Sequence, residues 1–149
     1  MEKENLSEAN FRLWLLVGKL SHSIIVSRQK ELNRYHIPVH QYHVLRVIQD
    51  LGSKAALSEV AKQVEREEHA ISKQTIRMEK DGLIKRTKNN PKSNILSLEL
   101  TEKGLDLLKV GRESKSIDGI FSSLSWEEHQ QMESILTKVL INMKENPPD

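Results

Sequence analysis

Seven basic residues fall between Ser72 and Asn94: Lys73, Arg77, Lys80, Lys85, Arg86, Lys88 and Lys92. Glu79 and Asp81 oppose them, a local balance of +5 in a chain whose total is +2, so the remainder is net −3. The first part of this stretch has helical spacing. Ile71, Thr75 and Met78 recur at i, i+4 and i+7 and predict a buried face, while His69, Ala70, Ser72, Lys73 and Arg77 lie mostly on the other. A cationic helix face followed by a basic hairpin tip suits the phosphates and base edges of duplex DNA. On charge alone, a solvated helix and an ordinary surface hairpin is an equal reading.

His36, His40 and His43 form a second group. In a helix starting near Val39, His40 and His43 share a face at i, i+3, and Glu31 or His22 would complete a donor set for zinc or nickel. The chain has no cysteine, which removes thiolate sites and disulfides; polar residues at the mouth of a crevice, or exposed ones, are the simpler reading, and no metal is favoured. Enzyme signatures are absent: no glycine-rich phosphate loop, no Gly-x-Ser-x-Gly elbow, no His-Glu-x-x-His. Glu127 and Glu128 fit helix capping. The chain reads as a non-enzyme without a cofactor.

The elements that must carry these residues run in the order helix, turn, helix, wing from Leu57 to Thr101. Leu57 to Val64 predicts a short helix with Ser58 as its cap, and about Glu67 to Lys80 a second, stopped by Asp81-Gly82. Leu83-Ile84 opens a strand, Thr87 to Asn94 is a polar tip, and Ile95 to Leu100 is a second strand with apolar residues at the even positions. Lys54 to Leu57 predicts a further short strand pairing with this wing. Upstream, Leu6 to Arg34 predicts one long helix with Asn5 and Glu8 at capping-box spacing, and Val39 to Leu51 a helix between Ile37-Pro38 and Gly52. Downstream, Thr101 caps a helix carrying Leu105, Leu108, Ile117, Ile120 and Phe121, weakened by Gly111 and Gly119. Ser125 to Glu128 is a capping box opening a last helix with Met132, Ile135, Leu136, Val139, Leu140 and Met143.

At 149 residues, 37% hydrophobic and 30% charged, the chain is about one domain long. Its longest apolar run, Leu13 to Val17, is too short to span a bilayer, and the N-terminus lacks a signal-peptide pattern, so a cytoplasmic protein is expected. The terminal helices carry more apolar surface than a small domain covers, which predicts a symmetric homodimer. The expected fold is mostly α with a small β wing: a winged helix-turn-helix DNA-binding domain at 37–101, flanked by helical dimerisation regions at 1–36 and 102–149.

Ile37 with Gln41-Tyr42 and Val44-Leu45, Leu57-Ser58-Glu59-Val60-Ala61, Met78 to Arg86 with its Gly-Leu-Ile-x-Arg, and Leu98-Glu99-Leu100-Thr101-Glu102-Lys103-Gly104 resemble the successive landmarks of MarR-family transcriptional regulators. The resemblance covers essentially the whole chain. It implies a homodimeric repressor on a pseudo-palindromic operator, released by a small molecule in a crevice between its dimerisation and DNA-binding parts. Two departures stand out. The family's wing Asp-x-Arg is replaced by Lys92 and Asn94, which leaves Lys88, Lys92 or Asn94 for the minor groove. Glu67-Glu68 stands where small polar residues are commoner.

With the second helix in the major groove, His69 faces a base edge, Ala70 a thymine methyl, Ser72 either kind of edge and Lys73 guanine acceptors. Arg66, Arg77, Arg86, Lys88 and Lys92 hold phosphates. Trp14, His22, His40 and Tyr42 are the candidates for an aromatic or anionic effector, chiefly on the family's pattern. Two competing readings stand beside this one: a winged-helix scaffold that binds protein through the same helix, and a metal-responsive regulator using His36, His40 and His43.

Overall fold

The computed structural model describes residues 2–113 and 115–149. Two compact units, Met1–Ser114 and Lys115–Asp149, divide the chain. The first contains α1 (Glu2–Leu32), a 3-10 turn (Asn33–Tyr35), α2 (Val39–Asp50), β1 (Lys54–Ala56), α3 (Leu57–Gln63), α4 (Glu68–Lys80), β2 (Ile84–Lys88), β3 (Leu96–Leu100) and α5 (Glu102–Arg112). The second contains α6 (Lys115–Phe121) and α7 (Trp126–Glu145). No helix among the described residues is long and apolar enough to cross a membrane.

The core of the first unit gathers around α2. Val44, Leu45 and Ile48 are buried with Val60 of α3, Ile71 and Met78 of α4, Ile84 of β2 and Leu98 of β3. The helix-turn-helix and wing thus share one apolar centre, and burying each large side chain contributes about 1.5–3 kcal/mol. The strands form an antiparallel sheet in the order β1-β3-β2, with Ala55 opposite Leu98 and Arg86 on the other side of the same residue. The strand expected at Lys54 to Leu57 is present, one residue shorter. Ser97 departs from the predicted alternation by being buried. As part of the middle strand it is flanked by Ala56 and Thr87, and its hydroxyl lies 3.5 Å from Asn89 Oδ1.

The helix ends follow local chemistry, with three corrections. Helix α1 begins at Glu2, so Asn5 lies inside it and caps nothing; Glu2, Lys3 and Glu4 are residue types that favour a helix. Ser58 is also inside its helix: Ala56 occupies the cap position, without a side-chain bond. Leu57, the first helical residue, is buried, so packing sets the start where β1 hands over to α3. The helix expected from Thr101 to Phe121 ends at Arg112, and a separate helix runs from Lys115.

Thr101 does cap α5, accepting from the Gly104 amide at 3.1 Å. Ser125 and Glu128 form the predicted capping box, at 3.2 Å and 2.8 Å. Helix α4 stops as its sequence dictates: Gly82 takes φ +75°, and the Leu83 and Gly82 amides close back on the Met78 and Glu79 carbonyls at 3.0 and 2.9 Å. The Leu-Thr-Glu-Lys-Gly run latches onto this turn. Thr101 Oγ1 donates to the Gly82 carbonyl at 2.6 Å and Lys103 Nζ to that of Asp81 at 2.8 Å. A Cβ on Gly104 would run into the Leu83 carbonyl oxygen, which makes glycine the residue that lets α5 approach.

Candidate nucleic-acid interface

Helix α4 is seated by Ile71, Thr75 and Met78, the three positions its periodicity marks. Anchoring that face turns His69, Lys73 and Arg77 outward, all exposed or half-buried at the surface. Glu67 is the N-cap and Glu68 opens the first turn. The two acids therefore sit at the helix's positive end, where the backbone amides need acceptors.

Along one flank of α4 runs a groove lined by Pro38, His40, Gln41, Arg66, Ala70, Lys73, Gln74 and Arg77. Three cations and no carboxylate line it. The Gln74 amide nitrogen is buried there without a hydrogen-bond partner among the described residues, an unused donor beside the cationic groups. Arg66, Ala70, Lys73 and Arg77 are thus brought to one place, together with His40 from α2. Sequence reasoning missed Gln74 and Pro38; Gln74 lies four residues after Ala70 and three before Arg77, a spacing that places it on the same flank.

The opposite flank meets the wing through Arg86. Its Nη2 donates to Ser72 Oγ at 3.0 Å, and its backbone amide donates to Glu79 Oε2 at 2.7 Å. Ser72 and Arg86, both expected at DNA, are bonded to each other, and their geometry ties β2 to α4. Lys88 ends β2 and is exposed; Lys92 and Asn94 lie in the exposed turn between the strands. That turn is shaped by its side chains: Asn90 Oδ1 accepts from the Lys92 amide at 2.9 Å and Ser93 Oγ from the Ile95 amide at 3.1 Å.

The four effector candidates do not line one cavity. Trp14 is exposed on α1, stacked on Phe11 at 5.7 Å between centroids. His22 is exposed on the same helix, and His40 belongs to the groove beside α4. Tyr42 is held in packing. Its hydroxyl donates to the Leu108 carbonyl at 2.9 Å, and the Arg28 guanidinium lies 4.8 Å above its ring. Arg28, itself buried, donates to the Gly111 carbonyl at 2.6 Å and pairs with Glu31 at 3.0 Å. This junction holds α1, α2 and α5 together. Desolvation raises the Tyr42 pKa above its ordinary value, opposed by Arg28 and Arg46. Trp14 lies 14 residues before Arg28, about 21 Å along the helix at 1.5 Å per residue.

A separate cavity of about 570 Å³ opens between the start of α2, the α4–β2 turn and α5. Its lining includes His36, Ile37, Gln41, Asp81, Lys103 and Asp106, and none of the four candidates. Among the described residues, no three His, Cys, Asp or Glu side chains cluster as metal ligands do. His36 takes a left-handed conformation, φ 55°, after the 3-10 turn, and His40 and His43 lie at the surface of α2.

Residues 37–91 match the model of the MarR family. No curated protein compared with the chain matches it. Among solved structures, the chain is similar to the organohalide-sensing transcriptional regulator RdhR-CbdbA1625 in its 2,4-dichlorophenol-bound form. The identity is 27% and the TM-score 0.79, over 88% of this chain and 79% of that one. It is also similar to a mutant MarR from E. coli complexed with operator DNA, at 19% identity and TM-score 0.79 over 87% and 94% of the two chains. A third is the S. aureus MepR–DNA complex, at 23% and 0.77 over 87% and 96%. Over residues 37–91 the chain thus matches the MarR family model, and its winged helix-turn-helix has the fold of solved MarR-family transcriptional regulators.

Proposed function

We propose that the chain is a sequence-specific regulator that binds duplex DNA as a homodimer, represses from a pseudo-palindromic operator, and is released by a small-molecule effector. The observation that carries the DNA reading is the outward face of α4, with its groove lined by Arg66, Lys73 and Arg77 and by no acid. Cations so placed neutralise phosphates and release counterions. His69 and Lys73 then face base edges in the major groove, and Lys88, Lys92 and Asn94 reach the backbone or the minor groove from the wing. The similarly folded MarR mutant solved with operator DNA and MepR solved with DNA support the same use of the fold.

Pairing of two chains is supported by apolar side chains that each unit leaves in the open: Phe11, Trp14 and Leu16 on α1, and Ile135, Val139 and Met143 on α7, each at least half exposed. Residues 37–101 would then contact DNA while 1–36 and 102–149 meet the second chain. The dichlorophenol-bound relative supports an effector; the cavity lined by Tyr35, Ile37, Leu83, Asp81, Lys103 and Asp106 offers apolar and polar groups suited to a small aromatic compound.

Selection from a pool of genomic fragments tests this reading. Recovery of one palindrome with half-sites about 10 base pairs apart, bound by two chains, is the expected result. Binding that is weak and indifferent to sequence contradicts it and leaves a protein-binding scaffold.

A further inference from the structure

Ile76 has no part in the core and is 47% exposed. It follows Lys73 by three residues and precedes Lys80 by four, which places it on their outward stripe of α4. Within residues 37–101 the large apolar side chains left exposed are Leu51, Ile76 and Ile95, so an isoleucine in the middle of this helix's outer face is unusual for the domain. The polar side chains flanking it toward the wing are occupied. Ser72, one turn earlier, accepts from Arg86 Nη2, and Glu79, three residues later, accepts from the Arg86 amide. This edge of α4 therefore presents a branched apolar surface where hydrogen-bonding groups would otherwise stand. In the major groove the apolar feature is the C5-methyl group of thymine. Ala70, the sequence-based candidate for such a contact, lines the groove beside Pro38.

We propose that Ile76 is a specificity-determining residue that packs against a thymine methyl in each half-site. The inference rests on α4 being the recognition helix. Its test uses the duplex that the wild-type chain recovers from a random-sequence pool, with each thymine replaced in turn by deoxyuridine, which lacks the methyl but pairs identically. Wild type and Ile76→Ala are titrated on every duplex. One replacement per half-site should weaken wild type about fourfold, the scale of one buried methyl-sized group, and leave Ile76→Ala unaffected. Ile76→Ala should melt at the wild-type temperature, since the side chain is outside the core. Deoxyuridine replacements that weaken both proteins equally, or neither, overturn the proposal while leaving the recognition helix in place. If wild type recovers no preferred duplex, the recognition-helix reading itself fails and this inference fails with it.

Discussion

Replacing Gly111 by alanine separates two physical arguments by sign. In a helix interior, glycine costs about 0.5–1 kcal/mol relative to alanine, so helix propensity alone predicts that Gly111→Ala stabilises α5. The packing predicts the reverse, because a Cβ at 111 would overlap the Tyr42 ring. The ring has little room to retreat: its hydroxyl is bonded to the Leu108 carbonyl at 2.9 Å, and Arg28 lies over its face at 4.8 Å. Overpacking a core costs about 1–3 kcal/mol, and displacing the ring forfeits a hydrogen bond worth about 1 kcal/mol. Subtracting the helix gain leaves a net destabilisation of about 1–3 kcal/mol, or roughly 3–9 °C in melting temperature for a chain of this size. Urea and thermal unfolding followed by circular dichroism read this directly. Gly119→Ala is the control: a Cβ added there would meet no neighbouring atom within 4 Å, so the helix gain should appear undiminished. In a Tyr42→Ala background the cost of Gly111→Ala should vanish. A Gly111→Ala variant as stable as wild type would falsify the close approach of α5 to α2.

Thr101→Val keeps the shape but loses both the cap on Gly104 and the bond to the Gly82 carbonyl; a loss of about 1–3 kcal/mol in urea is expected, and a change below about 0.5 kcal/mol, at the level of an ordinary surface substitution, would contradict the latch. Tyr42 supplies a pH dependence. Burial raises its pKa above 10.0, so the folded chain keeps this proton where the unfolded chain has begun to release it. Its contribution is complete below the unfolded-state value and is lost as pH rises through the folded-state value. Tyr42→Phe should be less stable than wild type near neutrality, by about 0.5–1.5 kcal/mol for the bond to Leu108, and the gap should close in strongly alkaline solution. A gap constant with pH would count against the assignment.

The helix-turn-helix and wing were legible because their determinants are local: the i, i+4, i+7 face of α4, the Asp81-Gly82 stop, and the polar tip between two apolar runs. Ser125 and Thr101 cap as their spacing predicts. Ser58 and Asn5 have the same residue chemistry and fail, since neighbours along the chain decide where those helices start: buried Leu57 follows directly on β1, and helix-forming residues precede Asn5. Gly111 shows the limit most clearly. Its sequence marks a weak point in a helix, whereas its role is set by Tyr42, 69 positions away in the chain. The candidate site divides likewise. The cationic stripe is visible in the spacing of Lys73 and Arg77, but the bond between Ser72 and Arg86 and the burial of the Gln74 amide nitrogen arise from tertiary placement.

The central claim is that the face of α4 neutralises DNA phosphates. The measurement that tests it most directly is the affinity of the chain for its selected duplex at several salt concentrations between about 50 and 200 mM, for wild type, Arg66→Ala and Arg77→Ala, the two groove cations assigned to phosphates. Each phosphate contact contributes about −0.9 to the slope of log affinity against log salt. A steep wild-type slope that becomes shallower by about one unit per bound chain in each variant is the predicted result. A wild-type affinity indifferent to salt, or variants with the wild-type slope, would contradict the claim.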